Sequence, residues 1–238
     1  MTVVKRIKNA HLVINIIDLK SDTIVLIIPG GGYRLLSNRE SGPVATKFNM
    51  LGYNTAVLYY SCLPLVPLEE GKEALKELSK EYKNIVAIGF SAGGHLVGLL
   101  GTEKEKYNLK AIVLCYAVIS FMEYSDKDTA HNFLGNTENS EGLIKYSIQN
   151  RVNNDTVPTY IWTTKEDEIV PYENSLMMID ALKKNNVYYE YKIYEHGKHG
   201  LALADETAVV NGDLTFTSKE IANWPNNVSK FIEKILNR

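Results

Sequence analysis

The sequence predicts an α/β fold in which helices cover both faces of a mostly parallel β-sheet. Short apolar, β-branched runs recur along the chain, and segments with helical periodicity separate them. Several of these runs are apolar at nearly every position, which is typical of strands buried on both faces of a parallel sheet. Ligands bind beyond the carboxyl ends of the strands in such sheets, so residues that directly follow a strand are the candidates for function.

The strand pattern is clearest where an apolar run ends at glycine, proline or a charged residue. Thr23–Ile28, for example, ends at Pro29 and a run of glycines. The run Tyr188–Tyr194 alternates polar and apolar positions, which favours a strand near the edge of the sheet. The predicted strands are Leu12–Ile17, Thr23–Ile28, Thr55–Tyr60, Ile85–Ile88, Ala111–Leu114, Thr159–Thr164 and Tyr188–Tyr194.

Helical patterns occupy intervals between these strands. The first begins after Ser41, which fits an N-cap, has Pro43 in its first turn and ends at Gly52. Pro225 is expected to interrupt any helix that runs through Trp224. Further helices are predicted at Pro67–Tyr82, Tyr172–Lys184 and Val228–Leu236, with a short one near Glu141–Gln149.

The strongest functional signal is Ile85–His95, where a GxSxG motif lies between a predicted strand and a helix-forming run. A serine on a sharp strand-to-helix turn needs small neighbours, and Gly89 and Gly93 supply them. The turn presents the serine Oγ at the end of the sheet. It also puts the amide of Ala92 at a helix N-terminus, which favours a developing negative charge. Ser91 is therefore the candidate nucleophile, and a structural tight turn is the alternative.

Three consecutive glycines follow the predicted strand Thr23–Ile28 and Pro29. Their backbone N–H groups are sterically open, which suits an oxyanion hole formed together with the amide after the nucleophile. A flexible loop is the alternative for this glycine run.

A candidate carboxylate follows the predicted strand Thr159–Thr164. Asp167 lies just past the end of that strand, where its carboxylate can reach the same edge of the sheet as Ser91. Glu166 and Glu168 flank it, and spacing alone does not separate the three acids. We select Asp167 as the residue that would orient a base and assign the two glutamates to the surface.

Two histidines compete for the role of base after the strand Tyr188–Tyr194. His199 precedes Gly200 in a glycine-flanked loop and is our choice, whereas His196 is assigned to the surface. The HxxH spacing lacks an HExxH helix or a further Cys/His cluster, so no metal site is predicted. The chain order serine, aspartate, histidine is the order found in α/β-hydrolases.

Several of these segments resemble one known family, the small α/β-hydrolase carboxylesterases of the acetylxylan esterase-like group, related to the hormone-sensitive-lipase and prolyl-oligopeptidase branches. The resemblance covers nearly the whole chain. It implies a serine carboxylesterase that hydrolyses short-chain acyl esters, with carbohydrate deacetylation among its activities, and that uses no cofactor or metal. The matching segments are Ile28–Tyr33, Ser37–Glu40, Pro43–Ala45, Gly52–Tyr53, Gly89–His95, Asp167–Pro171 and Gly197–Gly200.

The resemblance also implies roles for individual residues. The triad would be Ser91, Asp167 and His199, and the oxyanion hole would be lined by the amides of Gly31, Gly32 and Ala92. Lipase relatives carry histidine before the three glycines where this chain has proline, so which two glycine amides donate stays open. Two alternatives remain. A serine peptidase of the prolyl-oligopeptidase type is disfavoured because the chain has no room for a propeller domain, and a non-catalytic binding protein is disfavoured because all three triad residues are present.

Composition narrows the class of protein. The 238 residues carry a net charge of −2 and 23% charged residues, which gives no basic footprint for nucleic acid. With 45% hydrophobic residues, residues 1–238 can form a single domain. The N-terminus has no apolar leader pattern and no run approaches 18 apolar residues, so we expect a cytoplasmic protein that does not bind membranes. Cys62 and Cys115 each lie beside strand-like sequence, which favours buried free thiols. The oligomeric state stays open.

The least regular stretch, at about 117–157, is expected to form a small cap or pocket wall. Tyr33, Phe121 and His131 are candidate contacts to a small-molecule or carbohydrate ester substrate. For the residues of the insert, packing against the body is the alternative.

Three polar residues near the predicted site favour structural roles. Arg39 and Glu40 are interpreted as a structural pair after the glycine loop. The position of His95 behind Ser91 predicts packing or a hydrogen bond to the backbone.

Overall fold

The computed structural model describes residues 1–124, 127–138 and 140–237. Within these residues the chain forms an eight-stranded sheet. The strands are β1 Thr2–Ile7, β2 Ala10–Asn15, β3 Thr23–Ile28, β4 Asn54–Tyr59, β5 Asn84–Phe90, β6 Leu109–Cys115, β7 Thr159–Thr164 and β8 Tyr189–Tyr194.

The order across the sheet is β1-β2-β4-β3-β5-β6-β7-β8. Strand β2 runs antiparallel to both β1 and β4, and every pair from β4 to β8 is parallel. The prediction of a mostly parallel α/β sheet is confirmed, as is the edge position of β8. The helices are α1 Gly42–Met50, α2 Val66–Leu78, α3 Ala92–Thr102, α4 Lys127–Leu134, α5 Ser140–Tyr146, α6 Glu173–Lys184 and α7 Trp224–Leu236.

Two apolar cores lie on opposite faces of this sheet. Side chains alternate along each strand, so Ile24 and Leu26 of β3 join one core while Val25 and Ile27 join the other. Helices α2, α3 and α6 pack in the first core, and α1 and α7 pack in the second. Both faces of the central strands β3, β5 and β6 are therefore covered, which explains why their sequences are apolar almost throughout.

The edge of the sheet formed by β1 and β2 differs from the prediction. Strand β1 was not predicted; it pairs only with β2, and its exposed positions make Thr2–Ile7 less apolar than a central strand. Strand β2 ends at Asn15 instead of at residue 17, because the side chain of Asn54 accepts the backbone amides of Ile17 and Asp18. Pairing with β1 extends β2 back to Ala10.

Helix ends show smaller differences. Helix α2 ends at Leu78 instead of Tyr82, although Tyr82 remains buried on the predicted face. Helix α7 begins at Trp224, four residues before the predicted start. Pro225 lies in its first turn, where backbone N–H groups have no partner within the helix, so the missing N–H of proline costs no hydrogen bond. Helix α4 was not predicted.

The carboxyl ends of β3, β5, β7 and β8 lie along one edge of the sheet. The glycine run, Ser91, Asp167 and His199 follow these strands, so the topology brings the predicted site segments together.

Both cysteines are free thiols, as predicted, but only Cys115 is buried; Cys62 is half-buried in the segment after β4. In the described part of the chain, no helix has the length and apolar character needed to span a membrane.

Candidate active site

Ser91 lies on the sharp turn between β5 and α3. Its backbone is held at φ 53° and ψ −120°, a conformation that residues other than glycine rarely adopt. A Cβ atom on Gly89 would lie 2.3 Å from the carbonyl oxygen of Gly93, and one on Gly93 would lie 2.3 Å from that of Ile28. The turn therefore requires both glycines, as the sequence predicted, and it leaves Ser91 9% exposed.

A continuous hydrogen-bonded chain runs from this serine to a buried carboxylate. His199 Nε2 lies 2.9 Å from Ser91 Oγ, and His199 Nδ1 lies 2.7 Å from Asp167 Oδ2. The second carboxylate oxygen of Asp167 accepts the backbone amides of Ile169 and Val170 at 3.0 and 2.8 Å. Because an ionised carboxylate only accepts, the ring proton belongs on Nδ1, and Nε2 is free to accept the serine proton.

The competing histidine and glutamates lie outside this chain. His196 has an 86% exposed side chain, and its Nδ1 lies 2.8 Å from Glu166 Oε1. This contact raises the pKa of His196 and, together with the amide of Gly197, lowers the pKa of Glu166. Glu168 is exposed. The structure thus brings together Ser91, Asp167 and His199 and leaves the other candidates at the surface.

The glycine loop separates the three glycines into two kinds. The amide of Gly30 donates to Glu40 Oε2 at 2.9 Å. Among the described residues, the amides of Gly31, Gly32 and Ala92 donate to no protein acceptor. Both Gly31 and Gly32 line the same cavity as Ser91. The geometry therefore leaves these amides available to an oxyanion and occupies that of Gly30.

Ser91 and His199 open on a cavity of about 690 Å³. Residues 34–40 form one wall, and α4 contributes Asp128, Thr129 and Asn132. The side chain of Asn132 donates to the carbonyl oxygen of Gly32 at 2.8 Å, so the insert contacts the glycine loop directly. No local sequence signal pointed to these α4 residues.

A segment after His199 closes the other side of the cavity. Phe216 lines it, with the guanidinium of Arg39 at 4.4 Å and the Nζ of Lys198 at 3.7 Å from the centre of its ring. Lys198 also pairs with Asp213 at 2.5 Å, and this hydrogen bond holds the pKa of Asp213 well below its usual range. The segment is thereby attached to the residue directly before His199.

The three predicted substrate contacts have other places in the structure. Tyr33 is 1% exposed, and its hydroxyl contacts His95 Nδ1 at 2.9 Å instead of the cavity. Phe121 is buried against the imidazole of His95, with ring centres 4.2 Å apart, and lines a neighbouring cavity. His131 is exposed and does not line the cavity of Ser91. None of the three side chains therefore lines the cavity of Ser91, because sequence position does not fix the direction of a side chain in an irregular segment, and their contact with a substrate stays a prediction.

Arg39 and Glu40 do not pair with each other, contrary to the prediction. Arg39 donates to the carbonyl oxygen of Ala208 at 2.9 Å, whereas Glu40 turns inward to the amide of Gly30 and the hydroxyl of Tyr116. Over the described residues, no group of three or more His, Cys, Asp or Glu side chains is arranged to hold a metal ion.

The eight-stranded sheet, the strained serine turn and the order of the site residues define an α/β-hydrolase. The chain belongs to the prolyl oligopeptidase family, whose model matches residues 71–223. A crystal structure of an acetyl ester-xyloside bifunctional hydrolase from Caldicellulosiruptor lactoaceticus is 32% identical, with a TM-score of 0.84, and the match covers 95% of this chain and 88% of that one.

Two curated relatives are larger proteins. An endo-1,4-beta-xylanase B of Butyrivibrio fibrisolvens is 31% identical over 215 residues, which cover 79% of this chain and 34% of the relative. An acetylxylan esterase of Xylanibacter ruminicola is 29% identical over 209 residues, which cover 80% of this chain and 43% of the relative. The chain therefore spans less than half the length of these curated relatives.

Proposed function

We propose that this protein is a serine carboxylesterase in which Ser91 is the nucleophile, His199 the general base and Asp167 the residue that orients the base. The observation that carries the proposal is the hydrogen-bonded chain from Ser91 Oγ through His199 to Asp167, at distances of 2.9 and 2.7 Å. It opens on a cavity that unoccupied backbone amides also line. A nucleophile, its base and an oxyanion site thus share one space.

The reaction is acyl transfer in two steps. Ser91 Oγ attacks the ester carbonyl while His199 Nε2 takes its proton, and the amides of Ala92 and of Gly31 or Gly32 stabilise the tetrahedral oxyanion. His199 returns the proton to the leaving alkoxide as the ester C–O bond breaks. Water then attacks the acyl-serine with the same base and releases the acid. Asp167 stabilises the imidazolium in both steps, and no cofactor takes part.

For the substrate we propose short-chain acyl esters, with acetylated carbohydrates as the main class. The similarity to an acetyl ester-xyloside hydrolase and to an acetylxylan esterase supports this class. Polar side chains on the cavity wall, including Ser37, Asn38 and Asn132, also suit a hydroxyl-rich alcohol portion. Helix α4, from the insert at 117–157, would act as a small cap.

A peptidase is the second candidate, because the matching family is named for an oligopeptidase. It would use the same three residues, so the comparison that separates the two is turnover of an ester and of the matching amide. We expect the ester to be hydrolysed and the amide to be turned over far more slowly.

The proposal is tested with the variants Ser91→Ala, His199→Ala and His196→Ala. Ser91→Ala and His199→Ala should lose activity on p-nitrophenyl acetate by about 10²–10⁴-fold or more, with circular dichroism unchanged. His196→Ala is the matched control, since this histidine also contacts a carboxylate but lies on the surface, and it should keep wild-type activity. A fluorophosphonate probe should label Ser91. An inactive His196→Ala with an active His199→Ala would reverse the assignment of the base, and labelling elsewhere would refute the nucleophile.

A further inference from the structure

Three segments of the site meet at one buried carboxylate. Glu40 is 3% exposed, and its Oε2 accepts the amide of Gly30 at 2.9 Å. Its Oε1 accepts the hydroxyl of Tyr116 at 2.7 Å, and the Tyr116 oxygen in turn accepts the amide of Ala202 at 2.9 Å. A hydrogen-bonded chain thus connects the glycine loop to the segment that follows His199.

Both side-chain oxygens of Glu40 are acceptors in this chain. The backbone N–H of Gly30 donates to one of them, and the hydroxyl of Tyr116 donates to the other while it accepts from the N–H of Ala202. Glutamine offers one acceptor oxygen and cannot accept both donors in the same way. Burial and, secondarily, the charge of Glu40 raise the pKa of Tyr116 well above its usual value, so the phenol keeps the proton that it donates.

Both ends of the chain lie against the reacting groups. The ring of Tyr116 packs near-perpendicular to that of His199, with centres 5.0 Å apart. At the other end, a Cβ atom on Gly30 would lie 2.9 Å from the Cβ of Ser91, so the loop touches the nucleophile. The oxyanion amides and the base must both be placed relative to the same carbonyl group, and errors of about 1 Å cost about 10²-fold in rate.

We propose that Glu40 and Tyr116 are positioning residues that hold the glycine loop and the segment that follows His199 at a fixed distance from each other. This inference rests on the acyl-transfer function proposed above. Neither side chain exchanges a proton with the substrate. Glu40 positions Gly30, which directly precedes Gly31 and Gly32, and the ring of Tyr116 packs against the imidazole of His199.

The test uses Tyr116→Phe, which removes only the hydroxyl group and keeps the ring against His199, and Glu40→Gln, which keeps the side-chain size. For each variant, kcat and KM on p-nitrophenyl acetate and the rate of Ser91 labelling by a fluorophosphonate are measured. We expect kcat and the labelling rate to fall about ten- to a hundredfold while KM changes little. The double variant should be hardly slower than the slower single variant, because both remove the same connection.

Tyr53→Phe is the control, since the Tyr53 hydroxyl bonds Ser229 at 3.0 Å, away from the cavity. It should keep the wild-type labelling rate and kcat. Wild-type rates in Tyr116→Phe and Glu40→Gln would overturn the proposal, as would an equal loss in Tyr53→Phe. If the wild type is labelled at Ser91 but hydrolyses no ester, the esterase function fails, and the labelling rates of the variants still decide the positioning proposal.

Discussion

His95 connects three segments behind the nucleophile. Its Nε2 lies 2.7 Å from the carbonyl oxygen of Tyr146, which can only accept, so Nε2 carries the ring proton. Its Nδ1 therefore accepts from the hydroxyl of Tyr33 at 2.9 Å. Burial lowers the pKa of His95 to about 3, so the imidazole stays neutral near physiological pH. The expected hydrogen bond of His95 to the backbone is present.

This lowered pKa predicts a pH dependence of stability. In the unfolded chain His95 binds a proton near pH 6.5, whereas in the folded protein it does so only near pH 3. The unfolded state therefore gains the proton first as pH falls. The contribution of His95 to the free energy of unfolding therefore decreases by up to about 1.4 kcal/mol per pH unit between pH 6.5 and about 3. In urea unfolding between about pH 5 and 6.5, His95→Gln should be less stable overall but show a smaller loss per pH unit than the wild type. Equal slopes in the two proteins would contradict this account.

Gly31 and Gly32 should respond differently to alanine. Gly31 has φ +128°, and its Cβ would lie 2.1 Å from the carbonyl oxygen of Leu35, so Gly31→Ala must move the loop. Gly32 has φ +63°, and the nearest atom to its Cβ is Thr129 Oγ1 at 3.5 Å. We expect Gly31→Ala to lower kcat by about 10²–10³-fold through misplaced oxyanion donors, and Gly32→Ala to lower it far less. Steady-state kinetics measure this, and equal losses in kcat would show that loop geometry does not govern the donors.

The sequence predicts the role of a residue when neighbours in the chain define its environment. Ser91 could be selected because two glycines and a strand surround it, and Asp167 and His199 because each follows a strand. Glu40 could not be assigned its contacts, because its partners are 10 and 76 residues away in the chain. The contact of Tyr33 with His95 could not be predicted for the same reason, since the two residues are 62 positions apart.

Helix α3 has a glycine where it packs against the end of β5 and the segment that follows β6. A Cβ atom on Gly94 would lie 2.5 Å from the Cβ of Ala117 and 3.1 Å from the carbonyl oxygen of Gly89. The helix that carries the amide of Ala92 is therefore positioned by backbone contact. By contrast, Gly42 at the start of α1 has no atom within 4 Å of its Cβ position.

These two glycines give a matched stability prediction. Gly94→Ala overpacks the contact with Ala117 and should lower the free energy of unfolding by about 1–3 kcal/mol. Gly42→Ala meets no neighbour and restricts the unfolded chain, so it should raise that free energy by about 0.4–1 kcal/mol. Urea unfolding monitored by circular dichroism provides both values. A Gly94→Ala protein as stable as the wild type would mean that α3 can shift freely, contrary to the packing described.

The elements that were predicted show either a continuous buried run or a clear periodicity in sequence. Strands β3 and β5 were recognised because each is apolar almost throughout, and β7 because it is a run of threonine, isoleucine and aromatic residues, which favour strands. Strand β1 and helix α4 were missed because each is short and its sequence mixes charged and apolar residues. Pairing with β2 and contact with the glycine loop, both of them tertiary, decide their structures.

The cavity joins segments that are distant in the chain and that no local sequence pattern relates. Residues 34–40, helix α4 and Phe216 form its walls around Ser91 and His199. The sequence predicted an insert at 117–157 near the site, and α4 lies there. Phe216 lies in a 3₁₀ turn without apolar periodicity, so only its contacts with Arg39 and Lys198 reveal its place.

The size of the α4 insert predicts the acyl length. The insert is small beside a lid that encloses a long acyl chain, so the acyl site should be short while the polar wall of the cavity takes the alcohol portion. Acetyl and propionyl esters should therefore exceed octanoyl and longer esters in kcat/KM by about tenfold or more, consistent with discrimination of roughly 1–3 kcal/mol in a pocket of this kind. The measurement is a p-nitrophenyl ester series alongside acetylated xylo-oligosaccharides. A maximum at eight carbons or longer would refute a short acyl site, whereas inactivity on every acetylated sugar would leave the esterase and remove the carbohydrate substrate.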